Sequence, residues 1–137
     1  MILGIGTDIC DIRRIEQSID RFGARFLNKT FTQHEQAYCE SKARPGMSYA
    51  KRFAAKEAVA KAIAGPETGS LSWLSVEIEN DLSGRPIITL HNEALKRADA
   101  LSPEDHITAI HLSLSDDYPY ATAFAIAEAV PDVRQGA

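Results

Sequence analysis

A chain of 137 residues, 45% hydrophobic and 25% charged, has the size and composition of one domain with a real core, which excludes a disordered or fibrous class. The net charge of −4 is uneven: residues 1–61 carry +4 and the remainder −8. This balance excludes bulk nucleic-acid binding and points to a local basic patch that meets phosphates or an acidic partner. Cys10 and Cys39 have no clustered Cys or His neighbours in the sequence, so neither a disulfide framework nor a zinc site is expected.

The opening Met1 to Asp8 is apolar but has no basic leader and is too short to span a bilayer, so no membrane partner and a cytoplasmic location are expected. Residues 2–9 alternate as a strand, with Leu3, Ile5, Thr7 and Ile9 on one face and Gly4, Gly6 and Asp8 on the other. Two in-register glycines in a strand mean that a helix or a ligand approaches its backbone closely. A carboxylate at the end of that bare face either meets a cation or caps the next helix.

Residues 11–25 repeat Ile12, Ile15, Ile19 and Phe22 at helical spacing, with Arg13, Arg14, Arg21 and Arg25 mostly off the stripe; the helix frays near Gly23. Such a face is either simply solvated or attractive to an acidic helix. Thr32 and Glu35 form a capping-box pattern for a helix to about Ser41. In the basic loop and helix that follow, Lys42, Arg44, Lys51 and Arg52 either hold a phosphate or are solvated.

Residues 48–64 predict a long helix, capped by Ser48 and stopped by Gly65-Pro66. Ala54, Ala55, Ala58, Ala60, Ala62 and Ala64 leave it little bulk, which suits close packing on a sheet. Phe53, Glu57 and Lys61 lie four apart on one ridge. Glu57 and Lys61 are either an ordinary surface pair or part of a site.

The pattern then turns to strands at 73–79 and 87–90 around a turn at Asp81 to Pro86, a short helix from Asn92 to about Leu101, and strands at 107–115 and 120–127. The last strand has a face made only of Ala121, Ala123, Ala125 and Ala127, on which the long helix is expected to pack. Residues 129–137 read as a loose tail after a single domain at 1–128. The order predicts an α+β fold with an antiparallel sheet and helices on one side.

Where the long helix crosses the glycine-lined strand, Asp8 and Glu57 can converge, with Lys61 one turn on. Two carboxylates sharing a site need a proton or metal between them, and oxygen ligands favour Mg²⁺ or Mn²⁺ over zinc. A lysine beside such a site suits developing charge on a phosphoryl oxygen. The residues point to phosphate or phosphodiester chemistry.

The segments Gly4-Ile5-Gly6-Thr7-Asp8-Ile9 with Arg13-Arg14-Ile15, and Arg52-Phe53-Ala54-Ala55-Lys56-Glu57-Ala58 with Lys61-Ala62, closely resemble the holo-acyl-carrier-protein synthase group of phosphopantetheinyl transferases. Leu71-Ser72-Trp73, Gly84-Arg85-Pro86 and His111 to Ser115 extend the likeness over residues 1–128. The resemblance implies transfer of phosphopantetheine from coenzyme A to a serine of acyl carrier protein, in fatty acid biosynthesis, with release of adenosine 3′,5′-bisphosphate. It implies that Asp8 and Glu57 bind Mg²⁺ at the coenzyme A pyrophosphate and that Lys61 stabilises the transferred phosphoryl group. Arg52 would hold coenzyme A phosphates, Gly84, Arg85 and Pro86 would lie near the adenine nucleotide, and the loop with Gly65, Thr68 and Gly69 would border the coenzyme A site.

Arg13, Arg14, Arg21 and Arg25 fit the group's basic helix for the acidic carrier, and a homotrimer with sites between protomers follows by analogy. The chain departs from the common pattern at Asp116, where many members have His, so Asp116 or a metal-bound water is left to take the serine proton. Its loop Ala64 to Gly69 is also longer than the group's usual turn. A coenzyme A or carrier-binding module without turnover is the alternative, and an unrelated Mg²⁺-dependent phosphodiester hydrolase a third.

Overall fold

The computed structural model describes residues 1–66 and 70–135. Strand β1 (Ile2–Asp11) leads into helices α1 (Ile12–Phe22), α2 (Ala24–Thr30), α3 (Gln33–Glu40) and α4 (Pro45–Ala62). A 3-10 turn at Trp73–Ser75 precedes the hairpin β2 (Val76–Asn80) and β3 (Pro86–Leu90); helix α5 (Asn92–Leu101) and strands β4 (His106–Asp117) and β5 (Tyr120–Pro131) follow. All pairing is antiparallel, in a three-stranded sheet ordered β1-β5-β4 and a separate two-stranded sheet β2-β3. The expected α+β architecture is present, divided between two sheets.

Helix α4 lies across β1 and β5, as the small residues require. A side chain built on Gly4 would run into the carbonyl oxygen of Ala62, and one on Gly6 into that of Ala58. Opposite them Ala121, Ala123, Ala125 and Ala127 are buried. Glycine and alanine on the sheet, facing alanine on the helix, let the two backbones come within van der Waals reach. The other face of the sheet is open: Ile5 is 61% exposed, Phe124 45%, and Ile9 and Tyr120 are exposed as well.

Several local expectations change. Gly23, at φ 56, breaks the 11–25 helix into α1 and α2, so Arg25 belongs to a second element. Asp11 caps α1 through the Arg13 amide at 3.0 Å, and this leaves Asp8 uncommitted to capping. Helix α4 begins at Pro45, three residues before the expected Ser48 cap, because a proline at the first helical position presets φ and has no amide to leave unbonded. A register shift between Ile2 and Gly4 accompanies a Leu3 packed on the core rather than beside Ile5. Strand β5 continues past residue 128 to Pro131. The Thr32–Glu35 capping box forms as its spacing predicts.

Candidate active site

The pleat of β1 puts Asp8 on the side that faces α4, just past the glycines. From α4, Lys61 donates to the Thr7 carbonyl at 2.9 Å and lies 3.4 Å from Asp8 Oδ1. Asp8 and Glu57 border one cavity of about 290 Å³, with Phe53, Arg14 and Cys10. Burial first, and then the charge of Asp8, raises the proton affinity of Glu57, while Lys61 opposes both. Two remote acidic groups therefore meet across the helix–strand contact. Burial, and then Asp8, push the Cys10 thiol up to about 11, so it stays protonated and is no nucleophile at neutral pH.

Glu57 and Lys61 also line a larger cavity, about 770 Å³, whose wall includes Lys29, Leu71, Trp73 and Arg97. Phe53, from the first cavity, stacks on Trp73, from the second, with ring centroids 4.7 Å apart. The ridge Phe53–Glu57–Lys61 thus stands between two openings.

A second constellation lies on another part of α4. Lys42, Arg44, Lys51, Arg52, Tyr38 and Asn80 line a pocket of about 340 Å³. Arg52 Nη2 donates to Asn80 Oδ1 at 2.7 Å, and Asn80 Nδ2 donates to the Gly84 carbonyl at 3.0 Å, which ties the pocket to the hairpin turn. Gly84 adopts φ 86, a conformation that favours glycine. Lys51 forms an ion pair with Asp116 at 3.0 Å.

Residues 4–123 match the 4′-phosphopantetheinyl transferase superfamily. The chain belongs to that superfamily. It is 50% identical over 131 residues to a holo-[acyl-carrier-protein] synthase from Caulobacter vibrioides, covering 96% of this chain and 98% of the relative. The crystal structure of holo-[acyl-carrier-protein] synthase from Neisseria meningitidis is similar with TM-score 0.78 and 36% identity, over 93% of this chain and 99% of that one. The synthase from Helicobacter pylori, solved in complex with coenzyme A, is similar with TM-score 0.74 and 31% identity, over 90% of this chain and 99% of that one.

For this superfamily member the expected site residues fall into separate groups on one chain. Asp8, Glu57 and Lys61 come together. Arg52 lines the second pocket, Asp116 reaches it only through its ion pair with the wall residue Lys51, and Gly84, next to Arg85 and Pro86 in the turn, is tied to it through Asn80. Asp116 does not line the cavity of Asp8 and Glu57. Gly65 lies elsewhere again, beside Pro66, Arg97 and Leu101; Thr68 and Gly69 fall outside the described residues. Arg13, Arg14, Arg21 and Arg25 are all exposed, with Arg13 paired to Asp11 and Arg21 over the exposed Phe22 ring. Sequence reasoning passed over Tyr38, Asn80 and Lys29. No local pattern singles them out, since their proximity to the pockets arises only from tertiary packing.

Proposed function

We propose that this chain transfers the phosphopantetheine group from coenzyme A to a serine hydroxyl of apo acyl carrier protein, releasing adenosine 3′,5′-bisphosphate. Superfamily membership and relatives named holo-[acyl-carrier-protein] synthase support it. The observation that carries it is geometric: Asp8 and Glu57 border one cavity, and the Lys61 ammonium lies 3.4 Å from Asp8.

The pair fits Mg²⁺ or Mn²⁺. Two carboxylates beside a protonated thiol form a hard donor set, and Mg²⁺ takes one or two carboxylates while water and phosphate oxygens fill its other positions. Bound there, the ion supplies neutralisation of pyrophosphate charge. Lys61 is 54% exposed, and its ammonium, which donates to the Thr7 carbonyl at 2.9 Å and lies 3.4 Å from Asp8, has a third N–H for a transferred phosphoryl oxygen. With the pyrophosphate at Asp8 and Glu57, the remaining anionic group of coenzyme A, its 3′-phosphate, suits the pocket of Lys42, Arg44, Lys51 and Arg52. Arg85 and Pro86 then lie toward the adenine nucleotide, and the exposed arginines of α1 and α2 face the acidic carrier.

On one chain the cavity of Asp8 and Glu57 and the pocket of Arg52 share no wall residue. A complete site then forms where the pocket of one copy meets the cavity of another. The open apolar sheet face, with Ile5, Ile9 and Phe124, gives copies a surface on which to associate. We read this as a homotrimer, for which light scattering should return three chain masses; a monomer would rule it out. In that assembly Asp116 travels with the pocket of Arg52 and is our candidate to accept the serine proton.

The direct test is to incubate the protein with coenzyme A, Mg²⁺ and apo acyl carrier protein and to weigh the intact carrier. The expected result is a carrier heavier by one phosphopantetheine group. Coenzyme A binding with an unmodified carrier would instead favour a binding module, and adenosine bisphosphate released without any acceptor would indicate a hydrolase.

A further inference from the structure

We infer that Tyr38 is a positioning residue for the donor, presenting Arg52 and Lys42 to the 3′-phosphate of coenzyme A as cations that no carboxylate neutralises. The Arg52 guanidinium lies 3.9 Å from the Tyr38 ring centroid and the Lys42 ammonium 4.5 Å from it. Arg44 stands in the same way over Tyr118, at 4.7 Å. Among the described residues none of these three cations forms an ion pair; of the four that line the pocket, only Lys51 does, with Asp116. Arg52 is 3% exposed, yet its Nε has no hydrogen-bond partner among the described residues and its single bond goes to the neutral Asn80.

A buried guanidinium usually takes a carboxylate. A carboxylate here would cancel the charge that an incoming phosphate needs. An aromatic face attracts a cation while leaving its charge intact, and one ring that draws in two cations works against their mutual repulsion. The arrangement therefore keeps positive charge concentrated at a pocket wall. The ring alone performs this task, because among the described residues the Tyr38 hydroxyl makes no hydrogen bond.

This inference rests on the placement of the 3′-phosphate given under Proposed function, and one experiment separates the two. Transfer to apo carrier is measured with coenzyme A and with 3′-dephospho-coenzyme A, for the wild type, Tyr38→Phe and Tyr38→Leu, with a melting curve for each. The wild type should prefer coenzyme A, and Tyr38→Phe should match it. Loss of two cation–ring contacts in Tyr38→Leu should raise KM for coenzyme A about tenfold with kcat within about twofold, and should leave the dephospho donor nearly unchanged. Tyr38→Leu retaining the full preference, or slowing both donors equally, would overturn the role of Tyr38. A wild type indifferent to the 3′-phosphate would overturn the placement itself.

Discussion

Arg52 and Lys56 stand one turn apart on α4, 3% and 1% exposed, and the fold treats them in opposite ways. Lys56 Nζ meets Glu35 Oε1 at 2.8 Å, the Trp73 carbonyl at 2.8 Å and the Val76 carbonyl. Glu35 in turn accepts from the Thr32 amide at 2.9 Å and the Ile78 amide at 3.0 Å. Burial depresses the proton affinity of Lys56 and the Glu35 carboxylate opposes that loss. Every donor is used, and the pair clamps α3, α4 and β2 together. Arg52, which lines a cavity, has one neutral acceptor, a ring and a buried Nε without a hydrogen-bond partner among the described residues. The contrast teaches that burial alone does not mark a cation as structural; what matters is whether its hydrogen bonds are already complete.

The strongest way to break this contrast is Lys56→Met, which strands a buried Glu35. It should cost about 3–5 kcal/mol in urea unfolding, part of which returns when Glu35→Gln is added. A loss no larger than that of a surface substitution would mean that Lys56 clamps nothing. Arg52→Met should do the reverse. It gives up one bond to a neutral acceptor and a ring contact, so stability should fall by no more than about 1.5 kcal/mol. Its kcat/KM for coenzyme A should fall about 10- to 100-fold, mostly through KM. If Arg52→Met unfolded the protein as readily as Lys56→Met, the two cations would not differ in kind.

The smallest effect concerns Glu57, next along the helix. Burial and Asp8 raise its folded-state proton affinity above that of the unfolded chain, so its contribution to stability is complete only in acid and is lost as pH rises through the raised value. Glu57→Gln should therefore melt slightly higher than the wild type at neutral pH, and the gap should close near pH about 4. A variant that melts lower at neutral pH would show that Asp8 and Glu57 do not crowd one another.

The same helix shows what the sequence could and could not convey. Gly4 and Gly6 on one side and Ala121 to Ala127 on the other leave only one surface flat enough for an alanine-rich helix, so the crossing and the meeting of Asp8 with Glu57 were legible. The Thr32–Glu35 box was legible too, because both partners are local. The weak point at Gly23 was legible as fraying, but not that a second helix starts there, since a glycine in a helical pattern does not announce its φ. The partition into two sheets also escaped the strand pattern, which specifies alternation but not which hairpin joins which sheet. The meeting of Tyr38 with Arg52 and that of Asp116 with Lys51 were hidden for the same reason: such pairs depend on how α3, α4 and β4 come to rest against each other.

The most direct test is the Mg²⁺ dependence of phosphopantetheine transfer in Asp8→Asn, with folding and assembly checked by circular dichroism and light scattering. Removing one of the two carboxylates should abolish transfer at Mg²⁺ concentrations that saturate the wild type, with the fold unchanged. Transfer at the wild-type rate, half-saturated at the same Mg²⁺ concentration, would contradict the shared acidic site.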